Sequence, residues 1–186
     1  LANMSHEIRT PMNSIIGMAI LALKADPTPR VRDYLQKIQS SSQLLLGIIN
    51  DILDFSKLEA GKMSLEQVEF GLDQLLDSIH TVFAEKTARK GLEFVIDVAS
   101  DVPTRLVGDP LRVEQILINL ISNAVKFTEH GEIIVHVGVL RRAADEVVLR
   151  FAVQDSGIGI SDEQGARLFQ SFQQADSATT RKFGGT

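Results

Sequence analysis

His6 lies in the run Ser5-His6-Glu7-Ile8-Arg9-Thr10-Pro11. On a helix turning about 100° per residue, a residue two places from Met4 and from Ile8 points about 200° away from either. If those two face a partner helix, the His6 ring faces solvent. A neutral imidazole in water is a capable nucleophile, and Glu7 beside it can take or orient the ring proton. The chemistry on offer is acceptance of an electrophile such as a phosphoryl group. By position alone a solvated surface histidine is the default, and the heptamer around it is what overturns that default. Thr10, one turn after His6 on the same face, has two open uses. Its hydroxyl could position a water for the reverse hydrolysis, or it could bond back to a backbone carbonyl. Pro11 removes a helix hydrogen bond and is expected to bend the helix beside the histidine.

A second group of chemically useful residues follows Gly108-Asp109-Pro110, where Asp109 reads as an N-cap and Pro110 as the first helical residue. The apolar face expected for that helix is Val113, Ile116, Leu117, Leu120, Ile121 and Ala124. Asn119, Asn123 and Lys126 lie off it at i, i+4 and i+7. That spacing aligns two amide oxygens, suited to a hard Mg²⁺, with an ammonium suited to phosphate oxygens. Asparagine has poor helix propensity, so two of them in mid-helix call for a reason beyond solvation. Asp155-Ser156-Gly157-Ile158-Gly159-Ile160 then follows an apolar strand and could offer a carboxylate to an exocyclic amine such as adenine's, with glycines permitting close backbone approach. Taken by itself this segment is a turn. It is not a dinucleotide fingerprint, because residue 162 is Asp162, and no Walker loop occurs. Leu168-Phe169-Gln170-Ser171-Phe172 reads as an exposed aromatic pair, and Thr180 to Thr186 as a basic, glycine-rich loop. A lid over phosphates and a solvated loop are both open for it.

The elements that must position these groups are legible in the apolar spacing. Val31, Leu35, Ile38, Ser42, Leu45, Ile49, Ile52 and Ser56 alternate steps of four and three, and Leu1, Met4, Ile8, Met12, Ile15, Ala19 and Ala22 form a similar seam. Asp26-Pro27-Thr28-Pro29 separates them, which predicts a helical hairpin. One hairpin buries such seams poorly, whereas two copies close a four-helix bundle, so a homodimer is expected. Beyond Glu59-Ala60-Gly61-Lys62 the pattern changes to a helix near 71–89, a strand over 92–98, a helix over 110–128 and strands over 132–139 and 146–153. The class is α+β, with a domain boundary near residue 65 dividing 1–64 from 65–186 and a hinge expected over 57–66.

With 186 residues, 44% of them hydrophobic, the chain can bury one full core and a smaller helical element. A net charge of -5 and scattered basic residues offer no general attraction to nucleic acid or to anionic membrane. Cysteine is absent, and His6, His80, His130 and His136 fall at no zinc-like spacing. Apolar runs stop short of the ~20 residues of a membrane span, so no direct membrane contact is expected, and the expected placement is cytoplasmic. Because Leu1 already lies within a helical pattern, the chain is expected to come from a longer polypeptide.

Taken in this order, the segments resemble the sensor histidine kinase family. Met4 to Pro11 is similar to its H-box, Asn119 to Thr128 to its N-box, Asp155 to Gly159 to its first glycine box, and Phe169 with Phe172 to its F-box. The resemblance implies a dimeric hairpin followed by an α/β sandwich of the histidine kinase and gyrase type. It implies phosphoryl transfer from ATP to His6 with Glu7 as acid and base, and Thr10 nearby. It further implies Mg²⁺ on Asn119 and Asn123, Lys126 toward phosphate, and Asp155, Gly157, Gly159, Phe169, Phe172, Gly184 and Gly185 around the nucleotide. Passage to the aspartate of a response regulator receiver domain is also implied, with a sensory domain upstream and a parent protein anchored in the inner membrane. Motif wording of this kind is typical of hybrid kinases. The family continues past a stretch like Gly184-Gly185-Thr186 with a further glycine box, so a truncated C-terminus is expected. Two rivals stand beside this reading. One is an ATPase of the gyrase or MutL kind, against which the His6 hairpin argues. The other is a non-catalytic dimerisation and docking module phosphorylated by another protein.

Overall fold

The computed structural model describes residues 2–144 and 146–161, with side chains from Ile8 onward. Contacts divide the chain between Ser64 and Leu65 into two units.

The first unit is a hairpin of α1 (Ala2–Lys24) and α2 (Pro29–Glu59). Asp26 makes the turn with a φ of 51°, a left-handed conformation that aspartate tolerates better than most residues, and Arg32 donates to its carboxylate at 3.1 Å. Pro29 opens α2, where its missing N–H costs nothing. Gly61, at φ 62°, stops α2, and the amides of Gly61 and Lys62 return to the carbonyls of Leu58 and Lys57. Pro11 lies inside α1, which continues through it. Met12, Ala19 and Ser42 are buried, and Arg9 donates across the hairpin to the Asn50 side chain at 3.3 Å. Part of the seam is uncovered: Ile15, Val31, Ile38, Leu45 and Ile52 each keep more than two fifths of their surface in solvent.

The second unit runs β1 (Val68–Gly71), α3 (Leu72–Lys90), β2 (Glu93–Val98), β3 (Arg105–Gly108), α4 (Pro110–Phe127), β4 (Glu132–Arg142) and β5 (Val147–Asp155). β1 pairs antiparallel with β3, and a three-stranded sheet has the order β2-β4-β5, with β2 parallel and β5 antiparallel to β4. A parallel pair needs a crossover, and here α4 lies within it. Strict alternation on β4 buries Ile133, Val135 and Val137 against the helices. On the opposite face of the sheet, His136 meets Asp97 of β2 at 3.1 Å.

α3 supplies Leu72, Leu75, Leu76, Ile79 and Phe83 to the core, at the three-and-four spacing of an amphipathic helix. α4 supplies Leu117 and Ile121, and Ala124 joins Leu92 and Ile133 in an adjoining cluster. The expected face of α4 is corrected in one respect. Val113, Ile118 and Val125 pack on the core, while Ile116 and Leu120 are 61% and 43% exposed. The stripe through Leu117, Ile121 and Ala124 has apolar residues on both flanks, and the sheet covers the 118/125 flank rather than the 116/120 flank.

Candidate functional site

α4 begins under tight control. The Asp109 carboxylate accepts from the Arg112 amide at 3.1 Å, as an N-cap should, and from the Glu66 amide at 3.2 Å. That second bond ties the start of the helix to the segment leading into β1. Three turns on, Asn119 and Asn123 are exposed, and Lys126 is half-buried with its Nζ 5.3 Å from the centre of the Phe127 ring. The three residues therefore lie along the side of α4 turned from the core. Such an array presents two neutral amide oxygens and one ammonium.

The end of α4 meets the end of β5. Ile133 pairs with Asp155 in the β4–β5 ladder, and the Ser156 amide donates to the Glu132 carbonyl at 3.2 Å. The Ser156 hydroxyl accepts from the Glu132 amide at 3.0 Å and is placed to donate to the His130 carbonyl at 3.1 Å. One side chain thus fastens the turn between α4 and β4 to the turn after β5. Gly131, in that first turn, has a φ of 106°, and a Cβ there would lie 2.2 Å from the Ser156 Oγ. Ser156→Ala should lower stability by about 1 kcal/mol, or roughly 2–4 °C in melting temperature. An unchanged thermal melt would mean that the backbone pairing holds the turn unaided.

Asp155 and the glycines after it serve different purposes. The Asp155 Oδ1 accepts from the Gly157 amide at 2.9 Å, folding the turn back on its carboxylate. A Cβ on Gly157 would stand 2.6 Å from the Phe127 carbonyl oxygen, so only glycine lets this turn lie against the last residue of α4. Among the described residues a Cβ on Gly159 would meet nothing within 4 Å, and its φ of 69° is one that glycine adopts without strain. Contact between Gly157 and Phe127 brings Asp155 beside the helix that carries Asn119, Asn123 and Lys126.

The remaining expected residues are placed as follows. His6 and Glu7 lie in the first half of α1, and Thr10 is exposed on the same helix, with its carbonyl accepting from Ser14 Oγ at 3.1 Å. Phe169, Phe172, Gly184 and Gly185 lie outside the described residues. Among the described residues no cluster of three or more His, Asp or Glu side chains could hold a metal. The Asn119 and Asn123 oxygens do fit Mg²⁺, which keeps waters and phosphate oxygens as ligands and needs few from protein. Sequence reasoning missed Lys90, whose Nζ donates to the carbonyls of Val125 at 2.5 Å, Thr128 at 3.3 Å and Lys126 at 3.5 Å. In Arg89-Lys90-Gly91 it reads as the basic end of its own helix, and nothing in that spacing points to a partner 35 residues away.

Comparison with known proteins meets this geometry from outside. Residues 1–61 match the His Kinase A (phospho-acceptor) domain, and residues 108–186 match the histidine kinase-, DNA gyrase B- and HSP90-like ATPase domain. Over its whole length the chain is 49% identical to the signal transduction histidine-protein kinase BarA of Escherichia coli K12 and 51% identical to the sensor histidine kinase GacS of Pseudomonas protegens, covering 20% of each. The chain thus spans about a fifth of these relatives. Full-length ShkA, solved in complex with AMPPNP, matches 96% of this chain and 38% of its own at 35% identity, with a TM-score of 0.75. The histidine kinase ThkA, solved in complex with the response regulator protein TrrA, matches 93% of this chain and 49% of its own at 28% identity, with a TM-score of 0.56. A phospho-acceptor hairpin followed by an ATPase-type α/β unit defines a class of signalling kinase catalytic cores. The chain belongs to the sensor histidine kinase family. Its similarity to histidine kinases across all 186 residues sets aside the gyrase-type rival.

Proposed function

We propose that this chain, as the catalytic core of a larger sensor kinase, binds ATP along the exposed side of α4 and transfers the γ-phosphoryl group to His6. The observation that carries the proposal is the junction at which the Asp155 turn, through Gly157, meets Phe127 at the end of the helix that carries Asn119, Asn123 and Lys126 on its exposed side. Asp155 would accept from the adenine amine, Gly157 and Gly159 would let the nucleotide approach the backbone, and Lys126 would leave the Phe127 ring for a phosphate oxygen. Asn119 and Asn123 would hold Mg²⁺, which offsets phosphate charge when bound. Phe169, Phe172, Gly184 and Gly185 belong to the same proposed nucleotide site by family resemblance.

In the transfer, an imidazole nitrogen of His6 forms a bond to the γ-phosphorus as the bond to the bridging oxygen breaks, and ADP leaves. Glu7 takes the ring proton. Thr10, one turn along, would position the water of the reverse hydrolysis. Residues 1–64 serve as phospho-acceptor and dimerisation hairpin and residues 65–186 as the ATP-binding domain. The uncovered Ile15, Ile38, Leu45 and Ile52 support a homodimer in which two hairpins close a four-helix bundle. Phosphoryl would then pass to an aspartate of a response regulator receiver, the kind of partner with which ThkA was solved. The parent protein would add a sensory domain and an inner-membrane anchor, with this segment on the cytoplasmic side. Among the described residues no helix is long and apolar enough to cross a membrane.

Incubation with γ-labelled Mg·ATP should give label on the protein that is lost in acid, as expected of a phosphoramidate. No label, together with no ADP binding in calorimetry and an intact dimer in sedimentation, would favour a docking module phosphorylated by another protein. Acid-stable label would sink the histidine assignment.

A further inference from the structure

α3 and α4 end at the same place. α3 closes on Gly91 in the left-handed conformation, with the amides of Gly91 and Leu92 returned to the Ala88 and Thr87 carbonyls at 3.0 Å. The Glu93 amide then donates to the Gly131 carbonyl at 3.0 Å, so the chain leaving α3 runs beside the turn that leaves α4. Lys90 sits at this junction as the last residue of α3. Its ammonium is 2.5 Å from the Val125 carbonyl, 3.3 Å from that of Thr128 and 3.5 Å from that of Lys126. Carbonyls at a helix end carry partial negative charge and lack partners within the helix, so one cation here answers the ends of two helices.

The final turn of α4 is the part of the helix on which the proposed site depends. Lys126 extends from it, the Phe127 carbonyl abuts Gly157, and Thr128 follows, fully buried with its hydroxyl unpartnered. Among the contacts that reach this terminus from outside the helix, the Ser156 bonds fasten the turn that follows it, while the Lys90 ammonium alone meets the carbonyls of the last helical turn itself among the described hydrogen bonds. Arg89, one residue earlier, bonds among the described residues only within its own helix, to Glu85 at 2.6 Å, and is a natural comparison.

We propose that Lys90 is a positioning residue for the nucleotide site, fixing the last turn of α4 so that Lys126 and the Asp155–Gly157 turn are presented together. The inference rests on the nucleotide-binding reading of α4. Lys90 does not touch the nucleotide; it acts through the carbonyls of Val125, Lys126 and Thr128.

The test is binding of Mg·ADP by the intact chain and its Lys90→Met, Lys90→Arg and Arg89→Met variants, measured by calorimetry and by the rise in melting temperature that ADP produces over each variant's own unliganded melt. Lys90→Met should bind about tenfold more weakly, a typical effect of losing one charge-assisted anchor. Lys90→Arg should recover most of the affinity, and Arg89→Met should match the parent chain. An ADP-induced shift in Lys90→Met as large as the parent's would overturn the inference even if that variant melts lower without ligand. Equal weakening in Lys90→Met and Arg89→Met would also overturn it, by reducing the effect to general loosening of α3. Absence of binding by the parent chain itself would instead overturn the nucleotide reading.

Discussion

His6→Gln should carry no acid-labile label after incubation with γ-labelled Mg·ATP, while binding ADP as tightly as the parent chain. Glutamine keeps good helix propensity, so α1 should persist, but its amide nitrogen is not a nucleophile. The loss should be complete rather than graded, because removing the attacking atom leaves the γ-phosphorus only water to react with. Nucleotide affinity should be untouched because every described residue of the proposed ATP site, from Asn119 to Gly159, belongs to the unit that begins at Leu65. Gel autoradiography before and after acid reads the first half of the expectation, and calorimetry with Mg·ADP reads the second. Label persisting in the variant would move the acceptor to another residue. Loss of ADP binding along with label would mean that the nucleotide site draws on the hairpin.

Much of the fold can be read from periodicity, and the places where it cannot have physical causes. α3 and α4 each repeat apolar residues over about three turns, and the buried side of β4 alternates strictly through Ile133, Val135 and Val137. Repetition of that length leaves little choice of element. β1 and β3, at four residues each, are too short to show a period, and their pairing of Phe70 with Leu106 is long-range information absent from either segment. Ile116 and Leu120 mislead because α4 is apolar across more than the strip the sheet can cover. Only the neighbouring elements decide which flank is buried.

The candidate site divides in the same way. Asn119, Asn123 and Lys126 are legible as a group because their helical spacing is local and two asparagines are costly in mid-helix. Asp155 is legible only as a turn until the β4–β5 ladder brings it level with Ile133. Lys90 and Ser156 are not legible at all. Each acts on backbone groups of a distant segment, and a bond to a carbonyl leaves no trace in the identity of the residue that bears it.

Gly157→Ala should weaken Mg·ADP binding by roughly 10- to 100-fold, corresponding to about 1–3 kcal/mol of local overpacking. The added methyl would sit 2.6 Å from the Phe127 carbonyl oxygen, 3.0 Å from its carbonyl carbon and 2.7 Å from the Asp155 Oδ1. Distances below about 3 Å cannot be tolerated by a carbon, so one side must give. The Phe127 carbonyl belongs to the last residue of α4, whose end is held by the Lys90 contacts, and it yields poorly. The Asp155 carboxylate and the turn it accepts from are the softer side, and under the proposed function they are what the nucleotide would need in place. Strain should therefore appear as lost affinity more than as lost stability, with a modest change in unliganded melting temperature and a much smaller rise on adding ADP. Gly159→Ala makes a useful contrast: among the described residues a Cβ there meets nothing within 4 Å, so an affinity loss beyond the conformational cost of its φ of 69°, about 1 kcal/mol, would measure how closely the nucleotide approaches that backbone. Parent-like affinity in Gly157→Ala would show that the turn can withdraw from α4 without harm, and that Asp155 is not the group the nucleotide reads.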